Sequence, residues 1–190
     1  MERAVKSAFI TGGTDPIGVE ICLGLARAGY TVRFTHEDDP ERAASLAAAS
    51  ERMGFQMTPM STNLRDAVAT KRAIGQAEEG GGAISAFVHA ASAPGSIDSR
   101  GKSFAARHEA SIGELLVFMR IVEELIPSLR RAQGSAIAIS PADAADLPPR
   151  AGLRDGLEAY VYSVALAEHR YNVRCNCIDG GTRGFPPTDW

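Results

Sequence analysis

Short apolar, β-rich runs alternate along this chain with longer stretches whose apolar positions recur at helical spacing. Residues 5–10 read as a strand and 17–28 as a helix closed by Gly29. A second strand covers 31–35, and an alanine-rich helix starts near Pro40 and runs to about Met53. Strands at 56–61 and 86–90 flank a helix from Leu64 to about Ala77. A long helix over 111–131, a strand over 136–140, a helix over 153–169 and a last strand over 174–178 complete the series. This alternation predicts an α/β architecture: one domain, 1–190, with a doubly wound parallel sheet of about six strands and helices on both faces. Ligand is then expected at the carboxyl ends of the strands. The run 79–83 (EGGGA) and the segment 141–149 read as loops, and no internal repeat interrupts the pattern.

Composition alters this picture little. The chain has 190 residues, 45% hydrophobic and 23% charged, as an ordinary globular domain does. A net charge of -3 argues against nucleic acid as a partner. No apolar run is long enough for a membrane span, and the first ten residues lack the apolar core of a signal peptide. The three cysteines, Cys22, Cys175 and Cys177, form no even framework, which suits a reducing cytoplasm. A soluble, cytoplasmic protein is expected.

The sharpest motif is Thr11-Gly12-Gly13-Thr14-Asp15-Pro16-Ile17-Gly18, between the first predicted strand and the first helix. Glycines there let backbone approach a phosphate, and the helix N-terminus offers N–H groups that lack intrahelical partners. Strand-turn-helix is the context such a motif requires. A tight turn kept for its own geometry, with no nucleotide, accounts for the same glycines. Pro16 suits a first helical position but removes one N–H from the anion-binding end.

This loop resembles the TGxxxGxG loop of the short-chain dehydrogenase/reductase family, with Pro16 where that family usually has its middle glycine. The resemblance covers nearly the whole chain. Asn63-Leu64 falls where the family has an Asp–aliphatic pair beside the adenine, and Val88-His89-Ala90-Ala91-Ser92 where it reads VNNAG. Val173-Arg174-Cys175-Asn176-Cys177-Ile178, followed by Gly180-Gly181, is similar to IRVNxVxPG, with Gly180 replacing the proline. The resemblance implies a Rossmann-type domain with an NAD(P) site at Gly12, Thr14, Ile17, Gly18, His36, Asn63, Leu64 and Ala90. In His36-Glu37-Asp38-Asp39, after the second strand, a carboxylate can accept hydrogen bonds from ribose hydroxyls, whereas a 2′-phosphate wants Arg or Lys. Asp15 would repel that phosphate as well, so NAD is favoured over NADP. A solvated acidic turn that starts the next helix, with no cofactor bound, is the other reading.

The family's carbonyl chemistry uses a tyrosine, a lysine four residues later, a serine and an asparagine. The tyrosine needs a neighbouring cation to work near neutral pH. Here the only lysines are Lys6, Lys71 and Lys102, so no YxxxK exists in any register. Arg150 and Arg154 take the tyrosine and lysine positions, Gly113 or Glu114 the asparagine's, and Ser140 stands one step before the serine's. Arginine does not deprotonate in the working range, so Arg150 is no substitute acid. Arg150 and Arg154 at i and i+4 would share a helix face and bind a carboxylate, phosphate or sulfate, unless they pair with Asp143, Asp146 or Asp155. His89 and His108 are further candidates for acid or base and Glu114 for base, against a merely hydrogen-bonded role. Cys175 and Cys177 read as core packing, and no metal is expected.

Family members carry a substrate-binding segment and a seventh strand beyond the point where this sequence stops, at Trp190. Without them the sixth strand would be a sheet edge, needing cover from 185–187 and Trp190 or from another chain. Leu115 to Met119 are apolar on every side of a helix, which implies burial all round. A homo-oligomer, or a hetero-oligomer with a catalytically competent relative, is therefore expected through helices 111–131 and 153–169. The expected function is a non-catalytic member of the family acting as a structural or regulatory subunit or binding protein. The alternatives are an NAD(P)-dependent oxidoreductase of carbonyl or ketoacyl reductase type with altered residues, and a non-redox anion binder or enzyme using Arg150 and Arg154.

Overall fold

The computed structural model describes residues 6–90, 103–140 and 148–179. Strands β1 (Lys6–Thr11), β2 (Tyr30–His36), β3 (Met57–Ser61), β4 (Ile84–His89), β5 (Ser135–Ser140) and β6 (Arg174–Asp179) form one sheet in the order β3-β2-β1-β4-β5-β6. Every pairing is parallel, as the alternation with helices predicts. The connections run through α1 (Pro16–Arg27), α2 (Pro40–Arg52), α3 (Ala67–Gly81), α4 (Phe104–Ala132) and α5 (Pro148–Glu168).

Successive side chains of a strand point to opposite faces, so each strand feeds two cores. Ala8 and Ile10 of β1 join Val32, Phe34, Ala86 and Val88 under α1 and α2. Phe9 faces the other way, with Phe87, Ala136, Ala138 and Cys175, under α3, α4 and α5. On that side Phe118, Ile121, Leu125 and Leu129 of α4 interlock with Leu153, Leu157 and Val161 of α5. The bidentate Arg130–Glu168 pair, 2.6 and 2.7 Å, closes the carboxyl ends of these two helices, with the guanidinium 4.0 Å from the centre of the Tyr171 ring.

Several boundaries differ from the sequence pattern for local reasons. Helix α3 begins at Ala67 rather than Leu64, because Asn63 Oδ1 accepts from Arg65 N–H and Asp66 Oδ1 accepts from Val68 and Ala69 N–H. It then continues through Gly80 and Gly81, so most of 79–83 is helix, ended by Gly82 at φ 72°. Helix α4 starts at Phe104 instead of 111, since Ser103 Oγ accepts from Ala106 N–H and caps it. Pro148 and Pro149 belong to the first turn of α5, where a missing N–H costs nothing; the rest of the 141–149 loop lies outside the described residues.

Interior strand positions are mostly apolar, with Ser7, Arg33 and Thr35 buried among them, and the carboxyl ends are polar. β1, β2, β3, β4 and β5 end in Thr11, His36, Ser61, His89 and Ser140. The carboxyl ends of these five strands thus line one edge of the sheet with polar side chains.

Candidate functional site

The turn after β1 is crowded backbone. Gly12 has φ 69°, a region that L side chains rarely enter. A Cβ on Gly18 would lie 1.9 Å from the Gly12 carbonyl oxygen, and one on Gly13 would lie 2.5 Å from the Phe34 side chain. Gly13 N–H donates to the Thr35 carbonyl at 3.0 Å, and Asp15 N–H to that of Gly12 at 3.1 Å. These contacts hold the loop against β2 and bring the start of α1 over the sheet edge. The first-turn N–H groups of Ile17 and Gly18 have no intrahelical acceptors to use. Asp15 occupies the N-cap position without capping through its side chain, and Pro16 follows as the first helical residue. Burial, and then nearby Glu114, push the Asp15 carboxyl above the usual carboxylate range, while Arg42 pulls it down.

The residues expected at the far end of a nucleotide are spread along the same edge. His36, at the end of β2, is buried and its Nδ1 has no hydrogen-bond partner, while its carbonyl accepts from Thr62 N–H at 3.0 Å. Asn63 is exposed, one lone pair of its Oδ1 committed to Arg65 N–H. Leu64 turns onto the core beneath α3 and α4. Of the acidic turn, Glu37, Asp38 and Asp39 are exposed, and Asp39 caps α2 by accepting from Arg42 N–H at 2.9 Å. Ala90 is buried and donates its N–H to the Thr11 carbonyl; Ala91, Ser92 and the pair Gly180-Gly181 lie outside the described residues.

Between these groups lies a buried polar chain. Strands β1 and β4 pair with Thr11 opposite His89, and Thr11 Oγ1 and His89 Nδ1 are 2.7 Å apart. On the other side of the ring, His89 Nε2 is 3.1 Å from Glu114 Oε1. The ring thus bridges the Thr11 hydroxyl and the Glu114 carboxyl, one nitrogen to each, with donor and acceptor set by its tautomer. His89 is fully buried, walled by the rings of Phe87 and Phe118. Unlike His89, Glu114 keeps a small exposed fraction, 11% of its side chain.

The remaining candidates are divided. Arg154 makes two 3.2 Å contacts with Asp155 Oδ1, the competing pairing, and the side chain of Arg150 lies outside the described residues together with Asp143 and Asp146. His108 folds back on its own helix, 3.0 Å from the Phe104 carbonyl. Tyr160 donates to the Met119 carbonyl at 3.3 Å, and burial pushes its phenol up to about 12, the wrong direction for a proton donor at neutral pH. Burial likewise pushes Cys175 up to about 12, and Cys175 and Cys177 both pack in the α4–α5 core. Among the described residues no cluster of His, Cys, Asp and Glu is suited to a metal ion.

Ser140 Oγ is buried without a partner, and so are Ser111 Oγ and Arg107 Nε on α4. With His36 Nδ1 these are all the unpartnered buried side-chain atoms found among the described residues, and all four belong to the carboxyl-edge region. Buried polar groups are normally paired, so these four atoms set the carboxyl edge apart from the rest of the described interior. The sequence pattern had not singled out Arg107 and Ser111. The available signal was their spacing: 107, 111 and 114 continue the ridge of 118, 121 and 125, but in polar residues.

Comparison with known proteins agrees with this geometry. The family model for short chain dehydrogenases matches residues 6–183. A short-chain dehydrogenase/reductase, FrzI, of Cladobotryum sp is 26% identical over 187 residues, covering 93% of this chain and 70% of the relative. A probable NADP-dependent dehydrogenase of Haemophilus influenzae is 34% identical over 83 residues, 44% of this chain and 31% of the relative. Among solved structures, L-sorbose reductase from Gluconobacter frateurii, complexed with NADPH and L-sorbose, superposes with a TM-score of 0.80 at 18% identity, over 93% of this chain and 69% of that one.

Proposed function

The chain belongs to the short-chain dehydrogenase family, and from that premise we propose that it binds NAD(P) along the carboxyl edge of its sheet as a non-catalytic, regulatory or structural subunit. One observation carries the reading: the phosphate turn keeps its glycines, with Pro16 in place of the family's middle one, while the family's proton-transfer pair is missing. Gly12, Gly13 and Gly18 keep the backbone approach that a pyrophosphate needs. No tyrosine has a lysine four residues on, and Tyr160 is spent on the core.

The residues present fit a dinucleotide. Thr14, Ile17 and Gly18 would face its pyrophosphate, His36 and Asn63 its adenosine half, and the backbone near Ala90 its middle. Such a cofactor supplies a hydride at its nicotinamide ring. The exposed Glu37 and Asp38, together with Asp15, support NAD over NADP by repelling a 2′-phosphate.

The partner surface is the outer side of α4 and α5. Ile112 and Leu116 are more than half exposed, one turn apart on α4, and so are Tyr162 and Leu166 on α5. The apolar run 115–119 is therefore not buried all round within one chain; a second subunit, another copy or a competent relative, would cover its exposed side. No helix among the described residues is long and apolar enough to cross a membrane.

The test is calorimetric titration of NAD and NADP, followed by a hydride-transfer assay of the chain alone and with a competent relative. Nucleotide binding without turnover by the isolated chain is the expected result. Turnover that disappears on changing His89 or Arg150 would overturn it and favour the second reading, an oxidoreductase with altered groups, for which the His89–Glu114 pair is the motivating observation.

A further inference from the structure

The glycine run at the end of α3 and an arginine in the middle of β2 account for each other. Interior positions of a parallel strand are ordinarily apolar, since helices cover both faces. Arg33 nevertheless stands there, between Phe9 of β1 and Thr58 of β3 in the register, and is only 7% exposed. Its guanidinium reaches Ser7, two residues before Phe9, so the side chain runs towards the amino ends of the strands. There it lies against the last turn of α3. A Cβ on Gly80 would stand 2.6 Å from Arg33 Nη2 and 3.4 Å from Cζ and Nε, and one on Gly81 would overlap Nη1 and meet Ser7 Oγ at 2.8 Å. Glycine inside a helix is unfavourable relative to alanine. Two in succession are accommodated here because the guanidinium fills the space that their side chains would take.

This charge is buried without a counter-charge. Nη1 donates to Ser7 Oγ at the long distance of 3.5 Å. Among the described residues no carboxylate pairs with Arg33, and neither Nε nor Nη2 has an acceptor. The carboxyl end of α3 favours a cation through its dipole, but none of its carbonyls takes those donors. Burial pulls the group below its ordinary pKa, yet an arginine keeps its charge at any working pH. Nε and Nη2 are not sealed off as Arg107 Nε is. Arg33 and Gly80 both line a groove of about 410 Å³. Its other walls include Ala47 and Ala48 of α2, Phe55 in the turn before β3, and Thr31, whose hydroxyl donates to Gln56 Oε1 at 3.2 Å. Glu51 of α2 stands exposed at its rim.

We propose that this groove binds a small monocarboxylate with a flat apolar body, at the end of the sheet opposite the nucleotide edge. The two carboxylate oxygens sit on Nε and Nη2, the side-on bidentate geometry that a planar guanidinium matches. Phe55 and the two alanines receive the apolar body, and the volume is that of an ordinary small-molecule site. Glu51 sets the charge, because it repels a second negative group and so disfavours phosphate or a dicarboxylate. Gly80 keeps the donor edge open, since a methyl group there would press on Nη2. The site uses neither the glycine turn nor His89 and Glu114. It therefore goes beyond the dinucleotide reading and does not depend on it.

The experiment is isothermal titration of the full chain at neutral pH with benzoate, benzamide and inorganic phosphate, which carry ring and charge together, the ring alone and the charge alone. Benzoate is expected to bind roughly tenfold tighter than either control. Arg33→Met keeps a long side chain without the charge, and benzoate binding is lost in it. Gly80→Ala displaces only the far end of the arginine and favours the helix, so the chain folds, and benzoate weakens about tenfold. Where Arg33→Met does not fold, Gly80→Ala decides. Absence of binding heat for benzoate overturns the proposal. Equal affinity for benzamide, phosphate bound as tightly as benzoate, or unchanged benzoate affinity in Gly80→Ala does so as well. Benzoate affinity that saturating NAD leaves unchanged supports a separate site, and displacement of benzoate by NAD overturns it. NAD that fails to bind anywhere removes the dinucleotide reading alone.

Discussion

Two glycines of α1 offer the same chemical change with opposite expected signs. Gly18 stands in the first turn, where a Cβ would lie 1.9 Å from the Gly12 carbonyl oxygen, 2.8 Å from its carbon and 3.0 Å from Gly13 Cα. All three neighbours are backbone, so no side chain can rotate away; the turn or the helix must shift by more than an ångström. Overpacking of this kind costs about 1–3 kcal/mol, and the rigid neighbours place Gly18→Ala at about 3 kcal/mol. For a chain of 190 residues that is a fall in Tm of roughly 6–12 °C. Gly24 lies in the same helix with nothing within 4 Å of its would-be Cβ. There Ala gains helix propensity and restricts the unfolded chain, so Gly24→Ala should stabilise by about 0.5–1 kcal/mol and raise Tm by roughly 1–4 °C. Thermal unfolding followed by circular dichroism reads both, and NAD titration well below the midpoint tells whether the displaced turn also loses the nucleotide. A Gly18→Ala protein within about a degree of the parent would refute the close approach, and loss of stability in Gly24→Ala would refute the open surface.

Other consequences follow from single groups. Because burial raises the Asp15 carboxyl, the folded state holds that proton more tightly than the unfolded chain, and its contribution to stability falls as pH rises from about 3.9 to the folded value. Asp15→Asn should therefore raise Tm at pH 7, with the gain vanishing in acid, and should tighten nucleotide binding in titration; an unchanged Tm at pH 7 would count against it. Glu168 behaves in the opposite sense: hydrogen bonds from Arg130 lower its carboxyl, so its contribution is present above about 4.3 and lost as pH falls through the folded value. Arg130→Ala leaves that carboxylate buried and unpaired, at a cost of about 2–3 kcal/mol, below the fully buried case because Arg130 is 38% exposed; urea unfolding at neutral pH measures it. Replacing Leu116 and Leu166 by lysine should shift sedimentation towards the monomer while leaving the chain folded by circular dichroism at room temperature, and sedimentation identical to the parent would show that this face is not the interface.

Much of this protein is written locally. Apolar runs of strand length alternating with helical spacing determine a parallel sheet covered on both faces, since a strand buried on both sides needs apolar residues throughout. The turn 11–18 is nearly as local: its glycines are required by a positive φ at Gly12 and by contacts reaching no farther along the chain than Phe34 and Thr35. The missing lysine is a matter of counting. Helix starts were harder to read, because Ser103 and Asp66 act through a side chain turned back on the next N–H groups, which leaves no apolar period to follow. What the sequence could not decide is which polar residues meet. Thr11 and His89 are 78 residues apart, and His89 and Glu114 are 25 apart. They form one chain only because β1 lies beside β4 in a register that sets Thr11 against His89, and because α4 crosses back over that edge. The same packing leaves Ser111 and Ser140 buried without partners. Strand and helix follow from periodicity along a few residues, whereas a site follows from the ends of strands brought together by sheet order, and that order is a property of the whole core.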